Sequence, residues 1–427
     1  METAALVLVD VALVLAVSEA LRRVLGRLRQ PPVMADILAG LVLGATLLGT
    51  LPGDPSAALF TADARSVLGA LGQAAIVAYL FTAAARFDRR ALGRERRIVG
   101  AVAVGSFLVP GLAGAGLAVA MHGSVTGDPP LAPFALFLGT ALAVTAVPVL
   151  ARIVDERRLA GRPAARIALA AAGAQELVVW PALAVAVAGT SSSRPAAVVV
   201  LAGLASLAAV VALARLAGAV LTRAPRAVAG AAVLVLLGLA AAATQLAGLH
   251  LFVGALLFGV ALPARTRDAA LLVLDRQPLR LARSVCLPLF FALPALKVDV
   301  WALGADGLWL LAAVLSVAVT AKLGSAALFA RRAGATRADA LTVGALMNAR
   351  GLVELVVLAV GLEAGLIDER LFSVMVLMAL VTTLATGPLV DRLDRPRPGG
   401  AGRAVFDAHA PPAGRVSEKR QTTASSS

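Results

Sequence analysis

Glu176 stands in the middle of an apolar run, Ala170-Ala171-Ala172-Gly173-Ala174-Gln175-Glu176-Leu177-Val178-Val179-Trp180. An ionisable group deep in lipid costs about 2.5–3.5 kcal/mol on insertion scales, so a role must offset it. A carboxylate in such a place can hold a proton or a cation, but not easily both. That competition is the chemistry needed to couple the two movements in opposite directions. The structural alternative is a permanently protonated Glu176 that hydrogen-bonds a neighbouring helix.

Three more groups resist a bland explanation. Lys322 lies in Val319-Thr320-Ala321-Lys322-Leu323-Gly324, well inside an apolar segment. A buried lysine pairs with a carboxylate or titrates itself, and both roles stay open. Arg350 and Glu354 are four residues apart, a spacing that lets them pair on one helix face. Such a pair neutralises two buried charges. Asn348 before it and Gly351 within it predict a local break in the helix.

A second break is predicted at Leu142-Ala143-Val144-Thr145-Ala146-Val147-Pro148. Pro148 has no N–H to donate, which frees the carbonyl of Val144. In lipid, freed backbone groups must be met by protein, water or an ion. Broken helices in corresponding positions of two inverted halves are how secondary transporters build ion sites at the midplane. Thr145 would add a hydroxyl oxygen there. Asp10, Glu19, Asp36 and Arg215 lie nearer segment ends, where snorkelling accounts for them as well as any role.

These residues need an all-α membrane scaffold to position them. The chain has 427 residues, 60% of them hydrophobic, and a mean hydropathy of +0.89. A spanning helix needs about 20 mostly apolar residues. Thirteen segments qualify: 4–21, 33–50, 66–85, 98–121, 132–151, 164–189, 196–221, 228–247, 249–263, 285–297, 307–330, 339–361 and 371–390. With the N-terminus outside, 32 of the 39 Lys and Arg fall in loops on the inner side, 4 outside and 3 within spans. That alternation is the positive-inside pattern and predicts a cytoplasmic C-terminus. The interrupted fifth and twelfth spans would then sit in matched triples, 4–6 and 11–13, of opposite orientation. Gly40-Leu41-Val42-Leu43-Gly44 is a single GxxxG, a pattern that permits close helix approach.

Residues 1–392 are expected to form the transmembrane domain, and 393–427, rich in Pro, Gly, Arg and Ser, a disordered basic cytoplasmic tail. The arginines follow the first apolar segment rather than precede it, which predicts a retained span. The net charge of +14 is spread through short loops, so nucleic acid is not an expected partner; membrane lipid is. Cys286 is the one cysteine and cannot form an intrachain disulfide. The three histidines, His122, His250 and His409, form no HExxH, and no GxSxG is present. No enzyme site, resident metal or cofactor is expected.

The motifs resemble the monovalent cation:proton antiporter superfamily, the branch with Kef-type potassium efflux proteins, plant cation/proton exchangers and bacterial sodium/proton antiporters. The similar stretches are Gln30-Pro31-Pro32-Val33-Met34-Ala35-Asp36 onward to Gly44, Thr145 to Arg152, and Leu287-Pro288-Leu289-Phe290-Phe291. Met347-Asn348-Ala349-Arg350-Gly351-Leu352-Val353-Glu354-Leu355 is the most specific, continuing through Gly365-Leu366-Ile367 to Val381-Thr382-Thr383.

The resemblance covers about residues 5–392. It implies exchange of Na⁺ or K⁺ for protons by a homodimer, with a six-helix core moving against a scaffold. It assigns the ion- and proton-binding role to Glu176, with Gln175 beside it, Thr145 near and Lys322 facing the site. Asn348, Arg350, Glu354 and Pro148 take structural, charge-compensating places. The family usually carries Asp where Glu176 stands, so ion preference is open. Two other functions remain open beside cation exchange: proton-coupled export of an organic compound, and a non-transporting sensor on the same scaffold.

Overall fold

A chain dominated by Ala, Leu and Val in long runs can satisfy its backbone in lipid only as helices, because each helix closes its own hydrogen bonds. The computed structural model describes residues 3–28, 30–85, 95–159, 161–190, 196–249 and 251–393, and these are all-helical. The helices are α1 (Thr3–Arg27), α2 (Pro32–Leu43), α3 (Pro55–Leu59), α4 (Ala62–Ala85), α5 (Arg96–Met121), α6 (Leu131–Ala143), α7 (Val147–Glu156), α8 (Pro163–Ala188), α9 (Ala196–Leu221), α10 (Arg226–Leu246), α11 (Leu251–Ala261), α12 (Ala264–Leu274), α13 (Gln277–Ala295), α14 (Gly304–Arg332), α15 (Arg337–Met347), α16 (Leu352–Glu363) and α17 (Glu369–Leu393).

Among the described residues, ten helical stretches are long and apolar enough to cross a membrane, and Leu251–Ala261 and Ser284–Ala295 are shorter apolar helices. Of the expected tail, 393–427, Leu393 is the last residue of α17 and residues 394–427 lie outside the described residues, as do His250 and His409.

Packing divides the helices into two bundles. In one, α13 lies along α4, α2 and α1, while α11 joins α4 to α10 and α9. In the other, α5 is wedged between α6 and α14, α8 packs on α5, α6 and α15, and α17 on α14, α15 and α16. The bundles meet where α8 touches α9 and α11, and where α16 touches α13. One large apolar core runs through both; a small one, around Val14, Leu43, Phe60, Leu68 and Leu289, holds the outer part of the first bundle together.

Several segments depart from their expected bounds. The span expected over 33–50 is present as Pro32–Thr50, but its α-helix ends at Leu43 and a short 3-10 turn, Leu48–Thr50, completes it. Its end is set by α13: the backbone of Leu296 lies so close to Gly44 that only glycine fits, and Leu296 accepts the Ala45 N–H at 3.0 Å. The tenth segment extends back to Gln277, and α12 occupies what was expected to be a loop.

For two of the acids near segment ends, snorkelling is one of two readings the sequence leaves open, and the structure buries both. Asp10 is wholly buried on α1, and among the described residues neither carboxylate oxygen has a hydrogen-bond partner. Asp36 is also buried, and Arg22 Nη2 donates to its Oδ1 at 2.7 Å. Nearness to a helix end does not say whether that face meets lipid or another helix. Glu19 and Arg215 lie at exposed positions of α1 and α9.

Candidate functional site

The fifth segment is two half-helices, α6 and α7, separated at residues 144–146; the twelfth is α15 and α16, separated at residues 348–351. The two gaps lie against each other. Ala146 N–H donates to the carbonyl of Ala349 at 3.1 Å, and Thr145 Oγ1 donates to the carbonyl of Met347 at 2.8 Å. Pro148 sits in the first turn of α7, where a missing N–H costs nothing. Gly351 closes the other gap with φ at 141°, a backbone state other residues rarely adopt.

An uninterrupted helix would pair the N–H groups of residues 146 and 147 with the carbonyls of 142 and 143. The break hands each group to a different partner. Val147 N–H donates to Glu176 Oε1 at 3.3 Å, and Lys322 Nζ donates to the Ala143 carbonyl. Arg350 donates through Nη2 to the Leu142 carbonyl at 2.8 Å and through Nη1 to that of Ala141 at 3.2 Å. The negative carbonyl end of α6 therefore faces two cationic side chains, and the positive N–H end of α7 faces a carboxylate. Each charge meets the end of the helix dipole that favours it.

Arg350 also donates to Glu354 Oε1 at 3.1 Å, and both side chains are 0% exposed. The expected pair exists, with one difference in geometry. Arg350 stands in the gap and Glu354 in the first turn of α16, rather than both on one continuous helix. Thr383 on α17 grips the same gap: its Oγ1 accepts the Arg350 N–H at 2.9 Å and donates to the Arg350 carbonyl at 2.7 Å.

Glu176 and Gln175 are both buried on α8. Glu176 spends one oxygen on Val147 N–H; Oε2 has no hydrogen-bond partner among the described residues. Asn348 Oδ1 and Glu354 Oε2 are buried and unmet in the same way. Among the described residues, Lys322 hydrogen-bonds no carboxylate. Its Nζ donates to Gln175 Oε1 at 3.0 Å and to the Ser106 carbonyl at 2.9 Å, besides Ala143. Trp180, one turn beyond Glu176, packs edge-on against Phe252 of α11, ring centroids 5.6 Å apart, where the two bundles touch.

The crossing thus gathers Thr145, Pro148, Gln175, Glu176, Lys322, Asn348, Arg350 and Glu354. It also enlists groups that sequence reasoning did not single out: Ser106, the carbonyls of 141–143, the Val147 N–H and the Thr383 hydroxyl. For Ser106 there was a signal, a proline four residues later. For the carbonyls, the predicted break itself was the signal.

Residues 11–393 match the family model described as sodium/hydrogen exchanger, transmembrane. The chain is 32% identical over 403 residues to Cation/H(+) antiporter 17 of Arabidopsis thaliana, covering 92% of this chain and 48% of that protein. It spans about half the length of the plant relatives it matches. With the Na(+)/H(+) antiporter NhaS4 of Synechocystis sp. it is 28% identical over 411 residues, covering 92% of this chain and 98% of that one. The fold is similar to that of the sodium proton antiporter MjNhaP1 from Methanocaldococcus jannaschii, with a TM-score of 0.64 at 15% identity, over 92% of this chain and 99% of that chain. The chain is an integral membrane protein that belongs to the sodium/hydrogen exchanger family.

Proposed function

We propose that this protein exchanges a monovalent cation, Na⁺ or K⁺, for protons, and that Glu176 is the group for which the two compete. The observation that carries the reading is the Glu176 carboxylate itself. It is fully buried where two broken helices cross, with one oxygen anchored on Val147 N–H and the other unmet. A buried carboxylate oxygen without a donor is a costly arrangement unless a proton or a cation completes it. Thr145 Oγ1, whose proton goes to Met347, keeps lone pairs free for a cation. The Val144 carbonyl lies in the gap, beyond the end of α6, and is a further oxygen of the kind alkali cations take. Lys322 and Arg350 compensate the end of α6, and Glu354 balances Arg350.

With one carboxylate at the exchange point, one proton for one cation is the natural stoichiometry. Thirteen spans, with the N-terminus outside and the C-terminus cytoplasmic, fit both the arginine distribution and the helices described. In that topology α5–α8 and α14–α17 form inverted triples around the two breaks. The second bundle would then slide as a unit against the first, carrying Glu176 from one side to the other, within a homodimer.

The test is dequenching of a pH-sensitive dye in everted vesicles after addition of NaCl, KCl or LiCl, from neutral to alkaline pH. Dequenching by one salt establishes exchange and names the ion. Silence with every salt would sink the reading and favour an organic substrate or a sensor.

A further inference from the structure

Lys322 Nζ is surrounded by three neutral oxygens: the carbonyls of Ser106 and Ala143, and Gln175 Oε1. An ammonium has three N–H donors, so this shell uses all of them. Ala143 is free to accept because α6 ends there. Ser106 needs another explanation, since it lies inside α5, where its carbonyl would normally receive the N–H of residue 110. Residue 110 is proline and has no N–H. Pro110 therefore opens the carbonyl that Lys322 takes.

Ser106 acts a second time through its side chain. Gln175 Nε2 donates to Ser106 Oγ at 2.8 Å, and also to the Ala103 carbonyl at 2.9 Å. Ser106 Oγ in turn donates to the Val102 carbonyl at 2.7 Å. An amide held at its nitrogen by two acceptors presents its oxygen in a fixed direction, here to Lys322.

Lys322 and Glu176 divide the two ends of one missing helical hydrogen bond, the Ala143 carbonyl and the Val147 N–H. An ammonium that reached the unmet oxygen of that carboxylate would be a rival for any cation the carboxylate is to bind. We propose that Ser106 and Pro110 are positioning residues that hold Lys322 on neutral oxygens and so keep it from occupying Glu176. The inference rests on the reading above that Glu176 is the exchanging carboxylate. If the cradle loosens, a tethered ammonium competes at high local concentration, and more cation is needed to displace it.

Cation-concentration curves of exchange in proteoliposomes holding the full chain test this. Pro110→Ala restores an N–H that contends for the Ser106 carbonyl, and Ser106→Ala removes the hydroxyl that orients Gln175. Each should raise the half-saturating cation concentration about three- to tenfold, the scale of one ordinary hydrogen bond. The maximal rate should stay within about a factor of two. Ser106→Thr, which keeps the hydroxyl, should restore half-saturation. A purely structural lesion would lower the maximal rate and leave half-saturation in place.

Wild-type half-saturation in both Pro110→Ala and Ser106→Ala would overturn the proposal, as would a Ser106→Thr as shifted as Ser106→Ala. If Pro110→Ala does not fold, the two Ser106 variants decide alone. Wild-type protein that exchanges no monovalent cation would instead remove the antiport reading, and this inference with it.

Discussion

The N–H of Ala146 donates to the carbonyl of Ala349 at 3.1 Å, joining two breaks that are about two hundred residues apart in sequence. Neither residue has a side chain that could do chemistry. Their importance is that each gap supplies the other with the backbone partner it lost. A change in either half-helix is therefore felt in both. The side chains that stand on the remaining backbone groups, Glu176, Lys322 and Arg350, are held to one geometry by the same crossing.

Glu176→Gln keeps size and an acceptor for Val147 N–H but removes the charge. Exchange in proteoliposomes should fall to the background of empty vesicles while the protein still elutes as a folded species. Glu176→Asp keeps the charge but is one methylene shorter, so it retains exchange with weaker cation binding. Full activity in Glu176→Gln would show that another group carries the proton.

Arg350 and Glu354 should be unequal in their effects. Arg350→Met leaves Glu354 buried without its cation and strips the donors from the Ala141 and Leu142 carbonyls. Breaking a buried pair from one side costs about 3–5 kcal/mol. Glu354→Gln leaves Arg350 both of its carbonyl acceptors, so it should be the milder change. Thermal unfolding in detergent, followed by size-exclusion chromatography, measures the order. A Glu354→Gln protein less stable than Arg350→Met would contradict this account of the pair.

Much of this site could be read before the structure. Glu176 declared itself as a charge in an apolar run, and the breaks through Pro148 and Gly351, because these depend on local chemistry. The partners of Lys322 could not be read in the same way. They lie 216, 179 and 147 residues away, on three other helices, and only packing brings them together. Arg350 was legible as the partner of Glu354 four positions on, but not as the residue that caps α6. The burial of Asp10 was not legible, because its depth in α1 says nothing about which neighbour it faces. The GxxxG at Gly40 and Gly44 meant little alone and acquires its meaning from α13.

Gly351→Ala tests whether the second gap needs its unusual backbone. At φ 141° an alanine is strained, and its Cβ would come within 3.0 Å of Val149 Cγ2 on α7. Strain of this kind costs about 1–3 kcal/mol. The gap should relax away from α7, lowering both thermal stability and exchange rate. Gly365, also at positive φ but with open space around the Cβ position, serves as the control. Gly365→Ala should lose stability through backbone strain alone and keep its exchange rate per folded molecule.

Gly40→Leu separates packing of the first bundle from the chemistry of the second. Any Cβ at Gly40 would run into the backbone of Ala292, and one at Gly44 into that of Leu296, so α2 and α13 touch main chain to main chain. A leucine there must push the helices apart, and overpacking of this kind costs about 1–3 kcal/mol. Gly40 is in the first bundle, against Ala292, and Glu176 is in the second. The variant should therefore unfold at lower temperature while its surviving fraction binds cation with wild-type half-saturation. A shift in half-saturation would instead mean that the α2–α13 contact sets the position of the second bundle against the first, and hence the access of cation to Glu176.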